Sequence, residues 1–81
     1  MTKILAVRYF AILREERGLS SETVTTKASS LRDFYAELSR THGFTIALDS
    51  LQVAVNDEFE SWDYDLKDQD SIVFIPPVAG G

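Results

Sequence analysis

The sequence predicts an α+β domain of two layers, with a mixed sheet of about five strands laid on one main helix. Three observations predict it. Runs of strand formers with period-two alternation open and close the chain, one segment between them has helical periodicity, and no linker, repeat or low-complexity tract divides them.

The first element is "KILAVRYF", residues 3–10. Its odd positions Leu5, Val7 and Tyr9 make one wholly apolar face, while Ile4, Ala6, Arg8 and Phe10 make a mixed one that is unusually apolar for a solvent-facing surface. "AILREERG" follows as a turn of helix or a loop closed by Gly18. "SETVTT", residues 21–26, then reads as a polar, Thr-rich strand near a sheet edge. Together these segments predict an opening hairpin.

"SSLRDFYAELSRTHG", residues 29–43, is the helix. Leu31, Phe34, Tyr35 and Leu38 fall at i, i+3, i+4 and i+7 on one face, and Ser30 with Asp33 three residues later resembles a capping box. Gly43 suits the left-handed position past the helix end. Arg40 and His42 stand in the last turn, where positive charge complements the carbonyl end of the dipole. That location accounts for the single histidine, which has no second ligand or activated nucleophile beside it in the sequence and is assigned no site.

The second half reads as strands. "LQVAVN" (51–56) sets Leu51, Val53 and Val55 on one face, "NDE" makes a turn, and "EFESWDY" alternates but is too short and acidic for a central strand. Trp62, flanked by acids, is expected to be a half-buried packing residue. "SIVFI" (71–75) has two apolar faces, Ile72 with Phe74 and Val73 with Ile75, as expected of a central strand or of one whose second face meets a partner.

Composition narrows the function. With 44% hydrophobic and 26% charged residues the chain is composed like one ordinary globular domain, expected to span residues 1–77 with a tail at 78–81. There is no cysteine and one histidine, so neither a disulfide staple nor a usual zinc site is expected, and no metal ligands are assigned. The absence of a long apolar run or signal-like start predicts a cytoplasmic protein that does not engage a membrane. Thirteen acids against eight bases give a net charge of −5, which disfavours nucleic acid and favours basic partner surfaces. No phosphate loop, CxxC, HExxH or nucleophile–base pattern is present, so the chain is not expected to be an enzyme by itself. The acidic run 57–70 lacks the central glycine and ligand spacing of a calcium loop and is read as a solvated or partner-facing surface.

The chain closes on "FIPPVAGG". Pro76 and Pro77 fix φ and remove two donors, so the last strand cannot extend its ladder, and the chain is expected to leave it in a stiff, extended form. Val78, Ala79, Gly80 and Gly81 would carry a terminal carboxylate roughly 13 Å further, with side chains small enough for a narrow tunnel. Fraying, the ordinary fate of final residues, gives no reason for a rigid proline pair followed by Gly-Gly. A chemically used carboxylate does.

"LKDQDSIVFIPPVAGG" resembles the end of the molybdopterin synthase small subunits, sulfur carriers of the ubiquitin-like β-grasp group, and "YFAILREERG" (9–18) and "AVN" (54–56) are similar to other recurrent stretches of that family. The resemblance spans essentially the whole chain. Gln69 departs from it, standing where the family often has glycine, and strain is expected there if φ is positive. The resemblance implies a β-grasp fold with a flexible Gly-Gly tail and no permanently bound cofactor. An E1-like adenylating enzyme would use ATP to activate the Gly81 carboxylate, which would then be converted to a thiocarboxylate. That group would donate sulfur to a cyclic pyranopterin in the active site of the large synthase subunit. A ubiquitin-like modifier or a thiamine-pathway carrier would share the same Gly-Gly activation. Strand parity and family position together assign partner docking to Phe10, Phe59, Val73 and Ile75, on the sheet face that a single helix leaves uncovered.

Overall fold

A computed structural model describes residues 1–77. Its elements run β1 (Lys3–Tyr9), α1 (Ala11–Arg17), β2 (Ser21–Thr26), α2 (Leu31–His42), a short 3-10 turn (Leu48–Ser50), β3 (Gln52–Val55), β4 (Glu58–Phe59) and β5 (Ser71–Ile75). The five strands form one mixed sheet in the order β2-β1-β5-β3-β4. β1 pairs antiparallel with β2 and parallel with β5, and β3 pairs antiparallel with both β5 and β4. The predicted α+β class, the edge position of "SETVTT" and the central position of "SIVFI" all appear in this topology.

Burial follows strand parity. Leu5, Val7 and Tyr9 of β1, Ile72 and Phe74 of β5, and Val53 and Val55 of β3 enter one core with Leu31, Phe34, Tyr35 and Leu38 of α2. The alternation alone explains which face is inside, sending the odd residues of β1 and the even residues of β5 to the helix. "AILREERG" is a two-turn helix rather than a loop, because Leu13 reaches the same core and Gly18 ends the helix at φ 81°, its N–H bonded to the Arg14 carbonyl.

The start of α2 explains why the short, non-central strand expected in "EFESWDY" stops where it does. Ser30 Oγ accepts from the Asp33 N–H, as the capping pattern predicts. Two further orphan donors of the first turn, the N–H groups of Leu31 and Arg32, bond to the carbonyls of Tyr64 and Trp62. "EFESWDY" is therefore a strand only at Glu58–Phe59, since the carbonyls beyond it are engaged by a helix end instead of a ladder. The same path folds Trp62 inward, half-buried as expected, its ring stacked on Phe74 at 6.1 Å and tilted against Tyr35 at 5.8 Å. His42 closes α2, with its ring 5.8 Å from Phe44.

Candidate functional site

Because Phe74 faces the core, its neighbours Val73 and Ile75 face the side of the sheet away from α2, and both are half-buried. Register extends this face across the strands. Arg8 lies opposite Ser21 on one side and Val73 on the other, Val73 is paired with Ala54, and Ala54 with Phe59. Arg8, Val73, Ala54 and Phe59 thus form one row over four strands. Ala54 is buried in the middle of that row, whereas Phe59 at the edge is 69% exposed. An exposed phenylalanine of that size on a sheet edge is a feature stability alone does not favour.

The next row begins where β1 ends. Phe10 is 41% exposed and lies one residue beyond Tyr9, which is paired with Phe74, so it stands beside Ile75. Between them opens a groove of about 520 Å³, walled by Phe10, Ala11, Ile12, Glu15, Ile75, Pro76 and Pro77. Its shape comes from a tight turn: the Phe10 carbonyl accepts from the Leu13 N–H at 3.1 Å, and Ala11, the first central residue, has φ 52°. A positive φ at that position only is the type II′ pattern, which glycine fits more easily than alanine. The turn swings the chain off the sheet, so Phe10 follows the strand instead of ending it.

The assigned residues are thus distributed over two adjoining rows. Phe10 and Ile75 share the groove, Val73 sits in the row beside it, and Phe59 marks the far edge. Pro76, buried, and Pro77, exposed, continue β5 along the groove floor. Val78, Ala79, Gly80 and Gly81 lie outside the described residues. Ile12 and Glu15 were not singled out by the sequence reading, which left their segment open between helix and loop. The signal was the adjacent pair Ile12–Leu13: on a helix only one of two neighbours can turn inward, and Leu13 does, leaving Ile12 39% exposed.

The base of α1 is fixed to β2 by charge. Arg17 donates through Nε and Nη2 to both carboxylate oxygens of Glu22 at 2.8 Å each, and the Tyr9 hydroxyl donates to Glu22 Oε2 at 2.7 Å. The hydrogen bonds from Arg17, followed by the one from Tyr9, hold the Glu22 carboxyl below the usual range against the opposing effect of its partial burial. Burial, reinforced by Glu22, pushes the Tyr9 hydroxyl well above the ordinary tyrosine range. Among the described residues no three histidine, cysteine, aspartate or glutamate side chains converge as metal ligands would, and no helix is long and apolar enough to cross a membrane.

Comparison with known proteins matches residues 7–81 to the ThiS family. The molybdopterin synthase sulfur carrier subunit of Escherichia coli K12 is 32% identical over 81 residues, covering 96% of this chain and all of that one. A solved complex of subunits 1 and 2 of molybdopterin-converting factor from Helicobacter pylori contains a chain of 32% identity, with a TM-score of 0.64 over 96% of this chain and 99% of that one. The small archaeal modifier protein 1 of Methanosarcina acetivorans shares the fold, with a TM-score of 0.79 at 23% identity over 100% and 99% of the two chains. The fold is the ubiquitin-like β-grasp, and with its family match running over nearly the whole length, this chain belongs to the ThiS family.

Proposed function

We propose that this protein is a cytoplasmic sulfur carrier for molybdopterin synthesis and the small, non-catalytic subunit of a molybdopterin synthase. The observation that carries the reading is the continuity of the groove with the chain's exit: the central strand delivers Pro76 and Pro77 beside Phe10 and Ile75, so a partner seated on the apolar face would receive the segment that follows. The likeness to a sulfur carrier subunit supplies the chemistry.

A carboxylate is a poor electrophile because its leaving group would be oxide. In the proposed sequence a Gly81 carboxylate oxygen attacks the α-phosphorus of ATP in an E1-like adenylating enzyme, and pyrophosphate departs. Sulfide, or a persulfide whose S–S bond is then reduced by a thiol, attacks the acyl carbon and AMP leaves, forming the thiocarboxylate. In the large subunit the thiocarboxylate sulfur attacks an oxygen-bearing carbon of the cyclic pyranopterin, and the carbon–oxygen bond there breaks, its oxygen leaving protonated. Water cleaves the resulting carbonyl–sulfur bond and restores the Gly81 carboxylate. A dithiolene holds two sulfurs, so two charged carriers are consumed per product. Acids and bases for these steps belong to the partners, and this chain contributes the reactive end and the docking face.

The test is intact-mass spectrometry. Incubated with the adenylating enzyme, ATP and sulfide, the protein gains the mass difference between sulfur and oxygen, and deletion of Gly81 abolishes the gain without altering the melt. An unchanged gain in the deletion variant defeats the proposal. In cell extracts the carrier reading expects a complex with the large subunit; a dominant ladder of Gly81-dependent lysine conjugates would instead identify a modifier.

A further inference from the structure

We infer that Arg8 determines which partner the docking face accepts, by requiring a carboxylate set among apolar side chains on the partner surface. Arg8 is exposed in the row it shares with Val73, Ala54 and Phe59. Its guanidinium lies over the Phe10 ring, 5.7 Å from the centroid. The two ion pairs among the described residues, Arg17–Glu22 and Arg32–Asp63, lie elsewhere, and Arg8 makes none. Among the described residues, Arg8 of this acidic chain, with 13 acidic and 8 basic residues, thus has no ion-pair partner on the sheet face that carries Phe10, Val73 and Phe59.

Any partner that covers Phe10 and Val73 also strips water from Arg8. A guanidinium desolvated without an anion is strongly unfavourable, so an apolar partner surface alone would be rejected. An aspartate or glutamate facing Arg8 would convert that penalty into attraction, and the fork of parallel N–H donors fits a carboxylate in a way that an ammonium does not. The Phe10 ring restricts the guanidinium before contact, which lowers the ordering cost on binding. Although the net charge of −5 favours basic surfaces in general, at this point of the face the complementary group is acidic. The inference rests on the sulfur-carrier reading for the identity of the partner, the large synthase subunit, and on geometry for the charge.

Titration calorimetry of the full chain with purified large subunit, repeated over a series of salt concentrations, tests it. Wild type binds, and its affinity falls as salt rises. Arg8→Leu keeps an apolar stem but leaves the partner carboxylate unpaired, so Kd rises at least about tenfold and the salt dependence flattens. Arg8→Lys falls between, and also serves if the leucine variant melts early. Equal affinity and equal salt slope for wild type, Arg8→Leu and Arg8→Lys overturn the inference while leaving the carrier reading standing. Absence of wild-type binding overturns the partner assignment, and this inference with it.

Discussion

Phe74 and Ile75 are consecutive on β5 and lie on opposite sides of the sheet. Phe74 is fully buried, within 6.3 Å of the ring centroids of Tyr9, Phe34, Tyr35 and Trp62, while Ile75 walls the outer groove. A charge placed at the two positions therefore has different consequences. Phe74→Asp creates a cavity and buries a carboxylate without a cation, a loss of about 3–5 kcal/mol or more that unfolds a domain of this size. Ile75→Asp leaves the core intact and weakens binding to the large subunit by about 2 kcal/mol or more. Circular dichroism melts beside a pull-down distinguish the two, and an unfolded Ile75 variant with a folded, non-binding Phe74 variant would mean that the faces are reversed.

Gln69 has φ 74°, in the turn that leads into β5. Its N–H still donates to the Ile4 carbonyl at 2.8 Å, so the turn is kept, but the side chain makes only a long 3.4 Å contact with Asp68. The left-handed region costs an ordinary residue roughly 1–2 kcal/mol, partly offset in glycine by its greater unfolded-state entropy. Gln69→Gly is expected to stabilise the protein by about 0.5–1 kcal/mol. Denaturant melts at fixed pH measure this, and a lower midpoint with unchanged slope would refute the strain argument.

What the sequence revealed and what it hid divide along the range of the interactions. The burial of Leu5, Val7, Tyr9 and of Leu31, Phe34, Tyr35, Leu38 was legible because alternation and helical spacing are local patterns. Gln69 was flagged by the family resemblance, which often has glycine at that place, and its positive φ bears out the strain expected there. The parallel pairing of β1 with β5 joins the two ends of the domain and leaves no short-range trace. The short, non-central strand in "EFESWDY" was legible, but its end at Phe59 was not: its partners beyond that point are the N–H groups of Leu31 and Arg32, some thirty residues earlier in the chain, and no alternation pattern encodes a helix end as a partner. The groove was half legible. Parity pointed to Phe10 and Ile75, while Ile12 and Glu15 gained their places only once the Ala11 turn set them around those two, and Arg8 joined the adjoining row only through its register with Val73.

The Tyr9–Glu22–Arg17 cluster predicts how stability responds to pH. Glu22 has a folded-state pKa lowered chiefly by its hydrogen bonds from Arg17, with Tyr9 adding to the effect. A depressed carboxylate contributes stability that is present above its unfolded pKa of about 4.3 and is lost as pH falls through the lower folded value. Tyr9 has the opposite sign. Its hydroxyl is raised by burial first and by Glu22 second, so its contribution is complete below the ordinary tyrosine pKa of about 10 and disappears as pH rises through the folded value. Glu22→Gln keeps an acceptor for Tyr9 but loses the ion pair with Arg17, whose side chains are only 16% and 24% exposed. It is expected to cost roughly 1–2 kcal/mol at neutral pH and to reduce the fall in stability on acidification. Urea unfolding of both proteins from neutral pH to below the glutamate range measures the difference. Parallel curves over that range would show that Glu22 carries the same proton affinity folded and unfolded, and that Arg17 holds α1 to β2 by packing alone.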